Sequence, residues 1–239
     1  IPRVLEVVNT RGACTVEELC AWLPVLDRQI SSSLDGQTAP SKFRLGTRLI
    51  PALCAQGVLI PAQPRGSWRS ERDTYTTLSE WLPGLDLEPL TPREALGRVL
   101  HDYITAYGPV TIGDMIHWLR SARRQQVVSA LMAIESSLAR VEMGERRGEA
   151  WVLRSDLDRL HASPPDERYV RLLPEMDGAL MAYSDTSRFL QEEHRDRVHN
   201  WVGDALSTVM VDGRIVGLWW SHNKGSRIVV RFFERVDPE

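Results

Sequence analysis

Cysteine and long apolar runs are scarce in this chain of 239 residues. Cys14, Cys20 and Cys54 are odd in number and form no C-x-x-C pair, which argues against a disulfide framework and against a zinc finger. We therefore expect buried thiols. Because no run of about 18 apolar residues and no signal-like start occurs, we also expect a soluble, cytoplasmic protein with no membrane partner.

Lysine is almost absent, since Lys42 and Lys224 are the only two and the other long cationic side chains are arginines. This bias fits the GC-rich genome of a bacterium. The chain begins at Ile1 rather than Met. We therefore expect a fragment, a processed form or a trimmed chain, with residues missing upstream.

Motifs of several enzyme classes are also missing. The sequence contains no G-x-S-x-G, no P-loop and no G-x-G-x-x-G, so acyl transfer, nucleotide hydrolysis and dinucleotide binding have no motif. His194 and His199 are five residues apart and do not form H-E-x-x-H. We expect no metal site and no cofactor. Asp177 and Asp185 could serve acid–base chemistry, but capping or surface roles are favoured.

The formal net charge of −3 does not indicate a nucleic-acid-binding protein, so the local distribution of charge decides. Between residues 41 and 72 only Glu71 is acidic. The cations of that stretch are Lys42, Arg44, Arg48, Arg65, Arg69 and Arg72. Such a cluster favours contact with phosphates.

One phrase occurs twice: "RGACTVEELCAWLP" from Arg11 to Pro24 and "YGPVTIGDMIHWLR" from Tyr107 to Arg120. In each copy a threonine is followed three residues later by an acid, a spacing typical of a capping box at the start of a helix. Each copy also ends in Trp-Leu, and we expect Trp22 and Trp118 to pack into a core. A duplicated module is the simplest explanation.

The second copy predicts three helices and a hairpin. Apolar residues recur at helical spacing from Leu96 to Tyr107, after the capping signal Thr91-Pro92 with Glu94, and Gly108-Pro109 ends this helix. A short helix begins after Thr111. A third helix follows the basic residues Arg123 and Arg124, and a hairpin carries Arg146 and Arg147 at its tip. This order is typical of a winged helix.

The first copy predicts the same order with a longer wing. Pro51 falls inside its third helix, where proline costs about 3 kcal/mol unless it lies in the first turn or at a kink. After residue 163 the pattern changes. Asp212-Gly213 between two β-rich runs predicts a type I′ hairpin, and "YVRLLP" and "RIVVRFFERV" predict further strands.

The sequence thus predicts an α+β fold of two tandem winged helix-turn-helix modules followed by a small antiparallel β-sheet or barrel. We place these domains at residues 1–88, 89–163 and 164–239. Winged helices commonly bind duplex DNA through the third helix and the wing, so double-stranded DNA is the predicted partner and a nucleoid-associated location follows. The candidate DNA-binding residues are Lys42, Arg44, Arg48, Arg65, Arg69, Arg123, Arg124, Arg146 and Arg147.

Three phrases carry a family resemblance: "LLPEMD" from Leu172, "DTSRF" from Asp185 and "VDGRIVGLW" from Val211. With "YITAYGPVTIGDMIHWL" they make the sequence resemble the winged-helix DNA glycosylases of the AlkZ/YcaQ type. The resemblance implies repair of, or self-resistance to, alkylated or interstrand-crosslinked DNA. It also implies three tandem winged helices and a β-barrel around a concave DNA-binding surface.

The family's catalytic signature is Gln-x-Gln or Gln-x-Asp in the first winged helix, which positions the attacking water. Neither occurs here, and the adjacent Gln125 and Gln126 do not match it. No catalytic residue is therefore assigned, and the chain is expected to bind DNA without cleaving the glycosidic bond. The alternatives are a non-catalytic winged-helix transcriptional regulator and a module whose winged helices contact protein.

Overall fold

The computed structural model is an α+β fold, as the sequence predicts, and divides into two compact units, Ile1–Glu88 and Pro89–Glu239. The division into 1–88, 89–163 and 164–239 stays a prediction. None of the helices within the described residues has the length and apolar character needed to cross a bilayer. The structure describes residues 1–32, 41–67, 70–85, 88–144, 148–162, 168–222 and 225–234.

The first unit alternates short helices with small antiparallel sheets. Its helices are α1 (Pro2–Arg11), α2 (Val16–Trp22), α3 (Leu45–Ala55) and α4 (Leu78–Trp81). Its strands are β1 (Cys14–Thr15), β2 (Gln29–Ser32), β3 (Ser41–Arg44), β4 (Ile60–Ser67) and β5 (Ser70–Thr76). One sheet has the order β1-β5-β4, and β2 pairs with β3.

The core of this unit lies between α1, α2 and α3, where Val8, Leu19, Ile50 and Leu53 are fully enclosed. Pro51 lies in the interior of α3, beyond its first turn. Having no N–H, it cannot donate to the carbonyl of Thr47. The buried neighbours Ile50 and Leu53 hold the helix against the core through this gap. As predicted, Cys14 and Cys20 are buried thiols, whereas Cys54 is half-buried.

The second unit begins with the predicted helices and hairpin and ends in a four-stranded sheet. Its helices are α5 (Pro92–Tyr107), α6 (Ile112–Leu119), α7 (Arg124–Ala133), α8 (Leu157–His161), α9 (Gly178–Met181) and α10 (Arg195–Val198). Its strands are β6 (Leu138–Glu142), β7 (Glu149–Leu153), β8 (Val170–Leu173), β9 (Thr208–Val211), β10 (Arg214–His222) and β11 (Arg227–Phe232). β6 pairs with β7, and the larger sheet has the order β11-β10-β9-β8.

The predicted ends of α5 are confirmed. Thr91 and Glu94 form a complete capping box and Pro92 occupies the first helical position. Tyr103 and Ile104, on the inward face of α5, are buried. The expectation of a buried Trp118 is wrong: its side chain is 38% exposed. Met115 fills the inward face of α6, and the Trp118 ring lies outside it, stacked on Tyr103 at 4.7 Å between ring centroids.

The predicted Asp-Gly hairpin joins β9 to β10. Asp212 and Gly213 have φ angles of 47° and 80°, as a type I′ turn requires. The Asp212 carboxylate also accepts the backbone N–H of Tyr169 at 2.9 Å, which ties the turn to β8. A second small core, which includes Leu180, Val198 and Ile215, lies under this sheet.

Candidate nucleic-acid interface

The capping box of the first copy holds the hairpin of its own unit. The backbone N–H of Thr15 donates to Oε2 of Glu18 at 2.9 Å, and that of Glu18 donates to the Thr15 hydroxyl at 3.2 Å. Oε1 of Glu18 accepts Nη1 of Arg65 on β4 at 2.6 Å. The hydrogen bond from Thr15, aided by Arg65, holds the pKa of Glu18 below its usual value against the effect of burial.

In the second copy the capping acid, Asp114, contacts Ser184, in the segment that follows α9. Oδ2 of Asp114 accepts the backbone N–H and the hydroxyl of Thr111, both at 2.9 Å. Oδ1 accepts the backbone N–H and the hydroxyl of Ser184, both at 2.8 Å. Burial alone would raise the pKa of Asp114, but the hydrogen bonds from Thr111 and Ser184 outweigh it and hold that pKa below its usual value.

The predicted DNA-binding residues of the first unit differ in how firmly they are held. Lys42 lies exposed on β3. Arg44 precedes α3 and its Nε lies 3.3 Å from Oδ1 of Asp27. The guanidinium of Arg48 lies over the ring of Phe43, 4.0 Å from its centroid. Arg69 lies outside the described residues.

Arg65 has a structural task as well as a surface position. Besides contacting Glu18, its Nη2 donates to the carbonyl of Ala13 at 2.6 Å. With Arg72 it lines an open groove of about 800 Å³ between α2, α3 and the β4–β5 hairpin. Glu17 and Asp73 line the same groove, so its charge is mixed.

The predicted residues of the second unit lie at the start of α7. Arg123 immediately precedes that helix and Arg124 is its first residue; both are exposed. Oε1 of Gln126 accepts the backbone N–H of Arg123 at 2.8 Å and so fixes the entry to the helix. Neither arginine forms an ion pair with another residue that the structure describes. Arg146 and Arg147 lie outside the described residues.

Residues of the sequence phrases that suggested the family make hydrogen bonds within the fold. Arg188 donates to the carbonyl of Pro109 at 3.2 Å and lies over the ring of Tyr183. Nε1 of Trp219 donates to the carbonyl of Leu173 at 2.8 Å, which joins β10 to the end of β8. Asp177 caps α9 by accepting the backbone N–H of Ala179, as favoured from the sequence. Asp185 accepts the backbone N–H of Ser187.

The two histidines singled out in the sequence lie in different surroundings. His194 is buried, and its Nε2 lies 3.1 Å from Oε1 of Glu234 and 3.7 Å from Oε1 of Glu193. These three side chains are close enough together to hold a metal ion. The expected absence of a metal site stays a prediction.

His199 lines a cavity that sequence reasoning missed. This cavity also takes residues from the end of α6 and the start of α10, among them Arg120 and Arg195. The one local signal for it was Arg195 and His199 at i and i+4, on one face of a short helix.

Comparison with known proteins identifies relatives. The family described as DNA glycosylase AlkZ-like matches residues 1–237. The interstrand DNA cross-link repair glycosylase of Streptomyces sahachiroi is 31% identical over 131 residues, 54% of this chain and 34% of that protein. The solved structure of the S. sahachiroi DNA glycosylase AlkZ is similar with a TM-score of 0.64 and 25% identity. That match covers 93% of this chain and 62% of the other, so this chain spans only part of these relatives.

Proposed function

The chain belongs to the AlkZ-like family of DNA glycosylases, and from this membership we propose that residues 1–239 form the DNA-binding part of a DNA repair protein. The proposed ligand is double-stranded DNA that carries alkylated or interstrand-crosslinked bases. A relative named for interstrand cross-link repair supports this substrate class.

The observation that carries the proposal is the pair of exposed, unpaired guanidinium groups at the start of α7, within the residues described. α7 is the third helix in an order of three helices and a hairpin, which we interpret as a winged helix. In helix-turn-helix proteins the N-terminal residues of the recognition helix contact DNA in the major groove. Arg123 and Arg124 occupy those positions.

The proposal assigns binding, and not base release, to these residues. The family resemblance implies that a Gln-x-Gln or Gln-x-Asp motif positions the water for base excision, and residues 1–239 contain neither. Without a positioned nucleophile, the oxocarbenium-like state that forms as the base departs has no partner. We therefore expect the chain to bind alkylated duplexes without producing abasic sites.

Fluorescence anisotropy of a labelled duplex, titrated at several salt concentrations, tests the binding. Each phosphate contact contributes about −0.9 to the slope of log K against log salt. The double variant R123Q/R124Q should lose about two such contacts and bind more weakly. R98Q, which removes an exposed charge from α5, is the matched control. An unchanged slope in the double variant would contradict the assignment.

Base release is tested separately, by incubating the chain with a methylated duplex and then cleaving abasic sites with alkali. We expect no strand cleavage above the protein-free level. Cleavage would refute the binding-only assignment while leaving the family intact. A strong preference for one undamaged sequence over others would instead favour the regulator.

A further inference from the structure

The cavity that His199 lines has an unusual concentration of cationic and imidazole side chains. His117 lies on α6 and Arg120 directly after it, while Arg195 begins α10 and His199 directly follows that helix. Its volume is about 300 Å³, and Asp196 is the one carboxylate on its wall. A cavity of this composition suits an anion with several acceptor oxygens, such as a phosphate.

The backbone at Arg120 is strained. Its φ and ψ angles are 54° and −37°, and the N–H of Ser121 donates to the carbonyl of Leu119 across it. This is a γ-turn, which is rare for residues with a Cβ and costs on the order of 1–3 kcal/mol. Glycine would adopt this conformation with little strain. An arginine in its place indicates that the side chain has a task.

The two cavity residues from α10 and its C-terminal end differ in how firmly they are held. Nδ1 of His199 lies 3.1 Å from the backbone carbonyl of Arg195, one helical turn away, which orients the imidazole ring. Arg195 itself is exposed, and the one ion pair that it forms among the described residues is a 3.4 Å contact with the exposed Glu192. Such a surface pair is weak, so the guanidinium is available to a stronger partner.

Close in sequence to the lining of this cavity, the chain exposes a tryptophan. The side chain of Trp201 is 94% exposed, two residues before Gly203, which lines the cavity. Two hydrogen bonds hold the turn that carries it: Oδ1 of Asn200 accepts the backbone N–H groups of Val202 at 3.0 Å and Asp204 at 2.9 Å. Exposed aromatic rings next to cationic grooves are the means by which many proteins bind unpaired nucleotides, since every base has a face that stacks.

We propose that the cavity and Trp201 form one nucleotide-binding site, the strand site. Arg120 and Arg195 bind a backbone phosphate of DNA there, and the indole of Trp201 stacks on an unpaired base next to that phosphate. The ligand is thus a locally unpaired strand, as occurs beside a lesion, rather than regular duplex. This inference rests on the proposed function, because it takes DNA as the ligand.

Two probes test it by anisotropy: an intact duplex and the same duplex with a three-nucleotide single-stranded gap. The whole chain should bind the gapped probe more tightly. W201A should reduce affinity for the gapped probe about tenfold and leave the intact duplex almost unaffected. W220A, which truncates a tryptophan that is 40% exposed on β10, is the matched control and should retain the preference.

The arginines are tested by R195Q and R120G. Each should lower the salt slope for the gapped probe by about one. R120G also removes the strain, so its thermal midpoint should equal or exceed that of the unaltered chain. Weaker binding by a more stable variant separates the binding role from a structural one. R98Q again controls for net charge.

The outcomes separate the strand site from the function it rests on. If the chain binds DNA but W201A, R120G and R195Q behave as their controls do, the strand site is wrong and the proposed function stands. If inorganic phosphate displaces the gapped probe as well as a short oligothymidylate does, the cavity holds a free anion and the strand assignment is overturned. If no probe binds at low salt, the proposed function fails and the strand site fails with it.

Discussion

The two copies of the repeated phrase use the same local device for different tertiary purposes. In both, a threonine caps a helix and the acid three residues later returns a hydrogen bond. The second carboxylate oxygen of Glu18, Oε1, accepts a hydrogen bond from the exposed Arg65 on β4. The second carboxylate oxygen of Asp114, Oδ1, accepts a hydrogen bond from Ser184, and Asp114 is only 2% exposed. The capping acid thus makes an exposed contact in the first copy, Glu18 with Arg65, which we call the surface tie. In the second copy it makes a buried contact, Asp114 with Ser184, which we call the buried joint.

Burial decides how much each joint contributes. A buried carboxylate that accepts several hydrogen bonds contributes more than a partly exposed one that competes with water for its partners. Asp114 is buried and accepts four hydrogen bonds, two from Thr111 and two from Ser184, so its loss removes all four at once. Glu18 is only partly buried and accepts two hydrogen bonds, from the backbone N–H of Thr15 and from Arg65, whose side chain water can reach. The comparison predicts unequal responses to the same substitution.

The largest expected effect is that of D114A. It removes the acceptor of four hydrogen bonds from Thr111 and Ser184, which include the side-chain half of the capping box of α6, so we expect a loss of about 3 kcal/mol in the free energy of unfolding. E18A in the other copy should cost only about 1 kcal/mol. Urea denaturation of both variants measures the difference. Equal losses in the free energy of unfolding would contradict the expected difference between the two copies.

The same joint should make stability depend on pH. The pKa of Asp114 is lowered in the folded chain, so its contribution is complete above the ordinary aspartate pKa of about 4 and disappears as the pH falls through the lowered folded value. The stability difference between the unaltered chain and D114A should therefore shrink below about pH 4. Urea midpoints between neutral and acid pH measure it, and a constant difference would argue against an ionised Asp114.

A smaller effect is expected for S184A. This variant removes the hydroxyl that donates to Oδ1 at 2.8 Å but keeps the backbone N–H bond to the same atom. The carboxylate stays partnered, so the cost should be about 1 kcal/mol. A cost as large as that of D114A would mean that the hydroxyl, and not the backbone, secures the joint.

The smallest effect is expected for R65A. Its side chain is about half exposed, so water can replace it both at Glu18 and at the carbonyl of Ala13, and exposed ion pairs contribute roughly 0.5 kcal/mol. High salt should reduce even this amount, because screening weakens exposed pairs. The thermal midpoint of R65A should thus approach that of the unaltered chain as salt is raised. A large, salt-independent loss would show that the surface tie is as strong as the buried joint.

The sequence by itself determined the local elements. The capping boxes at Thr15, Thr91 and Thr111 and the turn at Asp212-Gly213 depend on residues at most three positions apart, so their signals are complete in a short stretch. Hairpin pairing follows from such turns. The exposure of Trp118 could not be predicted from such short-range signals, because it depends on how far neighbouring segments cover α6.

Only the tertiary structure decided the partners of the repeated acids and the composition of the strand site. Arg65 lies 47 residues from Glu18, and Ser184 lies 70 residues from Asp114. Arg120 and Arg195 come from elements that are far apart in the chain yet line one cavity. The spacing of residues along the chain carries no information about such contacts. They are fixed by the packing of whole elements, in which many weak apolar contacts set the position of each polar group.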